Sequence, residues 1–287
     1  MANILRMDLY RLVHGKSLWI LLAVIVAMAV LSSGLMAYIA SPEFMQTLQS
    51  PNGAVSIGFT DGAGPDASDY ADAAEVNAMM AGSMTPQALV GSLFLNGGGL
   101  ACLFVIFIAI FLAAEFESGF SKNVFTAQPN RLAFLAVRTV EIVVLAAVFT
   151  LVTSGATVAT AAAVGFELIP TTLPDLLLWG ALVTLGIAGF GMLTALVVWL
   201  TRKMSASLVV GILLAAGMAT ILFQGVALLV PDASFLMDFT LSSCLASLSK
   251  GVDAAGGLSS VHIALVSAAF IVGSAAVGGL ALQKRDV

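Results

Sequence analysis

Six continuous apolar runs constrain this chain more than anything else in it. They lie at about Leu18–Ala40, Leu89–Ala114, Phe134–Val164, Pro174–Leu200, Ala206–Val230 and Val261–Leu282. Each approaches or exceeds the ~20 residues a helix needs to cross a hydrocarbon layer. The runs are continuous rather than alternating, which excludes barrel strands. Of 287 residues, 60% are hydrophobic and only 9% charged, and mean hydropathy is +1.07. A soluble domain is about a quarter charged, so lipid is the implied second solvent. The first run is too long for a signal-peptide core and has no clear small-x-small cleavage site, so it reads as a retained span. The fold class is therefore an all-α integral membrane protein with six transmembrane helices, forming a single domain over residues 1–287.

Lysine and arginine set the expected orientation, because they accumulate on the cytoplasmic side. Arg6, Arg11 and Lys16 precede the first run. Lys122, Arg131 and Arg138 lie between the second and third, Arg202 and Lys203 between the fourth and fifth, and Lys284 and Arg285 after the sixth. Of eleven basic residues only Lys250 falls on the other side. Asp61, Asp66, Asp69, Asp72 and Glu75 lie in the long Gly/Ala/Asp-rich segment 41–86, which is expected outside. Both termini and residues 115–131 are expected to be cytoplasmic, in the cell (plasma) membrane.

Local signals refine this picture. Residues 1–17 predict an amphipathic interfacial helix, with Ile4, Leu5, Leu9, Leu12 and Val13 on one face and Arg6, Asp8 and Arg11 elsewhere. Asp69–Ser83 is Ala-rich and predicts a short helix. Thr85-Pro86 reads as an N-cap and first-turn proline. Asn96-Gly97-Gly98-Gly99 predicts a kink in the second run. Pro231–Ser260 is expected outside, partly on the membrane surface. Gly186, Gly189 and Gly191, and Ala269, Gly273, Ala275 and Gly279, let helices approach closely and read as intrachain packing.

Catalytic chemistry is missing from the motifs. There is no phosphate loop, so ATP is not bound in that way, and no metal-ligand spacing is present. His14 and His262 stand alone. Cys102 and Cys244 are far apart and give no disulfide framework. Glu141 follows Arg138 by three residues on one helix face, which predicts an ion pair near the cytoplasmic interface.

The informative segment runs from Glu115 to Arg131. It carries Glu117, Ser118-Gly119, Lys122-Asn123, Pro129 and Arg131, with Gln128 where a small or apolar residue is usual. In these residues the chain resembles permeases of the ABC type-2 exporter family, including bacteriocin-immunity and multidrug exporters. Asp8-Leu9-Tyr10-Arg11-Leu12 and Lys16-Ser17-Leu18-Trp19 extend the resemblance. The resemblance implies a half-transporter that pairs with a second permease copy or paralogue in the lipid bilayer, without nucleic acid. It implies ATP hydrolysis on a separate ABC ATPase subunit and no cofactor on this chain. The coupling helix it implies spans about Ser118–Ala127, with Glu117, Gly119, Phe120, Lys122, Asn123, Val124 and Phe125 facing the ATPase. Two other classes fit the composition: a membrane sensor or assembly protein without transport, and an ion-coupled carrier. The shortage of ionisable groups in the runs argues against the carrier.

Overall fold

A computed structural model describes residues 2–39, 84–117, 131–166 and 168–284. Segment 41–83, with the short helix expected at its end, and the implied coupling helix lie outside the described residues.

Among the described residues the fold is all-helical. Helix α1 (Ala2–His14) leads into α2 (Lys16–Ile39). The second apolar run begins with the short α3 (Pro86–Val90), continues as a π-helical turn (Gly91–Leu95), breaks, and resumes as α4 (Gly99–Glu117). Next come α5 (Arg131–Ala163) and α6 (Leu173–Thr201). The fifth run is two helices, α7 (Met204–Ala215) and α8 (Met218–Leu229), bent by 55°. A 3-10 stretch (Pro231–Phe239), α9 (Leu241–Leu248) and α10 (Ser260–Lys284) complete the chain. Among the described residues five helices are long and apolar enough to cross a membrane, and the bent pair makes a sixth if it forms one span.

Helix α6 is the hub. It packs against α4, α5, α7 and α10, and α2 lies outside against α5 and α4. Its glycines explain how. A Cβ on Gly191 would lie 2.5 Å from the Phe104 ring, and one on Gly186 2.9 Å from Leu245. These distances are closer than side chains tolerate, so glycine is what lets α4 and α9 seat on α6. Phe104, Phe107 and Phe149 fill the centre, with ring centroids 5.2 and 5.4 Å apart in the two pairs that involve Phe149. The small residues of α10 meet the packing expectation in part: Ala275 packs on the core and Gly279 is buried. Gly278 packs on Trp199 and Leu135, but Ala269 and Gly273 face outward, and Gly273 has open space around it. Helical periodicity places small residues on one face without saying which neighbour that face meets.

Two expectations about breaks hold. Thr85 caps α3 by accepting the Ala88 N–H at 3.2 Å, with Pro86 in the first turn. The second run breaks at Gly97 and Gly98, whose φ angles are +84° and +73°. The segment Pro231–Ser260 departs from expectation in part. Phe235 and Phe239 are exposed, as a surface segment requires, but Leu241, Cys244, Leu245 and Leu248 of α9 are buried. Trp179 Nε1 donates to the Leu248 carbonyl at 2.8 Å, holding α9 between α6 and the π-helical turn.

The last turns of α10 lie beside Trp199 and Leu135, at the bundle end occupied by α1, Glu117 and Met204. The basic residues of the described chain other than Lys250 gather at this end. Helix α5 has 33 residues and is about 50 Å long, against a hydrocarbon thickness of about 30 Å. Centred on the bilayer, it overhangs by about 10 Å at each end. Arg138 is seven residues along it, so it sits near the hydrocarbon boundary rather than at mid-membrane.

Candidate functional site: a buried charge network at the basic end

The sequence marks Arg138 and Glu141 as a pair, and the structure brings them to 2.5 Å. It also shows that the pair is part of something larger. Arg138 Nη2 donates to Glu115 at 2.6 Å and to Asp8 at 3.3 Å. Arg11 Nη2 reaches the same Glu115 oxygen at 2.5 Å. Three carboxylates and two guanidiniums from α1, α4 and α5 thus form one network. Asp8, Glu115, Arg138 and Glu141 are all buried, and Arg11 is half-exposed.

Each side chain is placed by its helix. Glu115 lies two residues before the end of α4 and points inward, whereas Glu117 points to the opposite side and is exposed. Arg138 and Glu141, three apart, share one face of α5. Asp8 corrects the amphipathic reading of α1. It is expected off the apolar face, but it is one turn before Leu12, and that shared face turns into the bundle, with both residues buried. Val13, expected on the apolar side, is exposed, and the side chains of Ile4, Leu5 and Leu9 lie outside the described residues. Ion pairs of Asp8 and Arg11 to α5 and α4 thus help to hold this helix against the bundle.

Aromatic rings shield the network. The Arg11 guanidinium lies 4.6 Å from the centroid of Phe111, and Arg138 lies 5.1 Å from that of Phe134. Such placement adds cation–π attraction to the ion pairs. On one side the network opens to a cavity of about 360 Å³ lined by Arg11, Ser17, Phe111 and Glu115. Burial pushes the Asp8 carboxyl above the usual carboxylate range, against the opposing pull of Arg138 and Arg11. Among the described residues, Arg138 Nε and Glu141 Oε1 have no hydrogen-bond partner.

This arrangement ties three helices together. Its carboxylates are engaged by guanidiniums, and among the described residues no group of side chains is arranged to hold a metal ion. His14 and His262 are occupied locally: His14 Nδ1 meets the Tyr10 carbonyl and His262 Nε2 the Asp238 carbonyl, each at 2.9 Å. Of the residues implied in coupling, Glu117 is described. It accepts the Met204 N–H at 3.2 Å, joining the end of α4 to the start of α7. Gly119, Phe120, Lys122, Asn123, Val124 and Phe125 lie outside the described residues.

Sequence reasoning missed Asp8, Arg11 and Glu115 as partners of Arg138. The signal available was an acid within helical reach of a bilayer boundary in each of three apolar or amphipathic helices. Such residues are costly there unless paired. No family model and no curated protein matches the sequence.

Proposed function

We propose that this chain is the permease half of an ABC exporter. In this reading, its helices form the membrane pathway with a second copy or paralogue, and a separate ATPase subunit hydrolyses ATP. Both termini and the segment 115–131 face the cytoplasm. The observation that carries the reading is the setting of the motif-bearing segment. Its flanks are Glu117 at the end of α4 and Arg131 at the start of α5. Those two helices are cross-tied to each other and to α1 by the Glu115–Arg138–Asp8 network, while Glu117 is tied to α7. A push on the segment would therefore reach four helices at once rather than one flexible turn. The lack of a phosphate loop in the sequence agrees with ATP being handled elsewhere.

The test is purification of the chain from its native membranes under mild detergent. The reading requires an accompanying ATPase whose vanadate-sensitive hydrolysis vanishes when the chain is stripped to homogeneity. Phe120→Asp combined with Val124→Asp would abolish that association while leaving membrane insertion intact. Two outcomes would each refute the proposal: a chain that purifies without any ATPase from native membranes, or a double variant that keeps its ATPase.

A further inference from the structure

The two helix breaks meet. Gly98, between the π-helical turn and α4, approaches the α7–α8 break so closely that a Cβ there would lie 2.0 Å from the Ala215 carbonyl oxygen. Gly217, at φ +89°, turns the chain into α8. Together with the first turns of α9 these breaks enclose a cleft of about 240 Å³. It lies at the bundle end opposite the charge network. Leu95, Gly97, Gly217, Thr220, Ser242 and Ala246 are among its lining residues.

Three properties define what this cleft can hold. Its wall is mainly apolar, and none of its lining residues is ionisable. Its polar side chains are hydroxyls: Thr220 and Ser243 are bonded to Thr240 at 2.8 and 2.9 Å, whereas among the described residues Ser242 has only a long contact of 3.5 Å to the Leu214 carbonyl. That distance is at the limit of a hydrogen bond, so the Ser242 hydroxyl retains most of its capacity. Finally, the cleft is bordered by α8, none of whose residues is buried, and its Ile221, Leu222, Leu228 and Leu229 are exposed. In a bilayer such a surface faces acyl chains.

We infer that the cleft binds a neutral single-chain amphiphile drawn laterally from the surrounding bilayer. A hydroxyl-type head meets Ser242 and Thr220, and the first carbons of the chain lie against Leu95 and Ile221. The volume is below the ~300 Å³ of the smallest drug-sized sites, which suits a small head and the first carbons of one chain. The lack of charge in the wall disfavours an ionised head, because a desolvated charge without a partner is expensive. This inference stands apart from the permease reading and needs no ATPase.

The experiment uses the full chain in phosphatidylcholine nanodiscs with a fatty alcohol that carries a diazirine near its hydroxyl. Photolysis followed by peptide mapping should concentrate label in 215–221 and 242–246. A tenfold excess of unlabelled alcohol should compete it away. Ser242→Ala with Thr220→Val should cut that label about fivefold, the worth of about one hydrogen bond. Ala246→Trp should fill the cleft and abolish the label, in protein whose thermal midpoint and elution are unchanged. The hydroxyl-free variant keeps the test decisive if the tryptophan variant fails to fold. Label spread evenly over α2, α8 and α10, or label in the cleft without competition, would overturn the inference. So would a cleft that excludes the probe because a second copy of the chain cross-links across it.

Discussion

Removing Arg138 should be among the most damaging single changes in this protein. Its guanidinium meets Glu141 at 2.5 Å, Glu115 at 2.6 Å and Asp8 at 3.3 Å, all out of water. Arg138→Met would remove from three buried carboxylates the one guanidinium they share. Taking one partner from a buried ion pair costs about 3–5 kcal/mol, because the remaining charge stays desolvated and unpaired. For a chain of this size each kcal/mol is worth about 2–4 °C of thermal midpoint, so a fall of about 6–20 °C is expected. The assay is a thermal scan of detergent-solubilised protein by tryptophan fluorescence, with Lys203→Met as the exposed control. Arg138→Lys should fall between wild type and Arg138→Met, since a point charge cannot serve three acceptors as a guanidinium does. Arg138→Met with Glu141→Leu should recover part of the loss by removing an orphaned charge. Asp8→Asn leaves two carboxylates against two guanidiniums and should cost less than about 1 kcal/mol. An Arg138→Met midpoint within about 2 °C of wild type would refute the reasoning. So would an Asp8→Asn variant as damaged as Arg138→Met.

Four further outcomes follow from particular residues. Because burial raises the Asp8 pKa, the folded chain binds that proton better than the unfolded one; stability from this group is full below the ordinary carboxylate range and is lost as pH rises through the raised value. Between pH 4 and 7 the wild-type midpoint should therefore fall relative to that of Asp8→Asn, and parallel curves would contradict this. Gly98→Ala should cost about 3 kcal/mol or more, from both its positive φ and its clash with Ala215, whereas Gly97→Ala, in open space, should cost about 1 kcal/mol; equal midpoints for the two variants would show that the breaks do not touch. The Cys244 thiol is buried and pushed up to about 12 by desolvation and by Asp238, so maleimide at pH 7.5 should leave it unmodified in folded protein and label it after denaturation. Introduced into a cysteine-free background, a cysteine at position 66 should react with impermeant reagents in intact cells and one at position 122 only after permeabilisation; the reverse pattern would invert the proposed topology.

How much of this was legible in the sequence depends on the length scale of the signal. Long apolar runs report membrane helices because each must satisfy its own backbone and lipid exposure along its whole length, independently of neighbours. The glycine break at 97–98 and the Thr85 cap were readable for the same reason, since φ preference and side-chain capping act within a few residues. The sequence by itself thus determined the helical class, the places where apolar runs break, and the concentration of basic residues at alternate ends of the runs. It also held the Arg138–Glu141 pair, whose partners are one turn apart. What it did not determine is which distant groups share a buried position. Asp8 is 130 residues from Arg138 and Glu115 is 23 residues from it, and nothing local distinguishes a snorkelling acid from one turned inward. The burial of α9, the outward turn of Ala269 and Gly273, and the meeting of two helix breaks were likewise decided by tertiary packing. A helix face carries the same residues whether lipid or another helix covers it, and only the arrangement of all the helices says which.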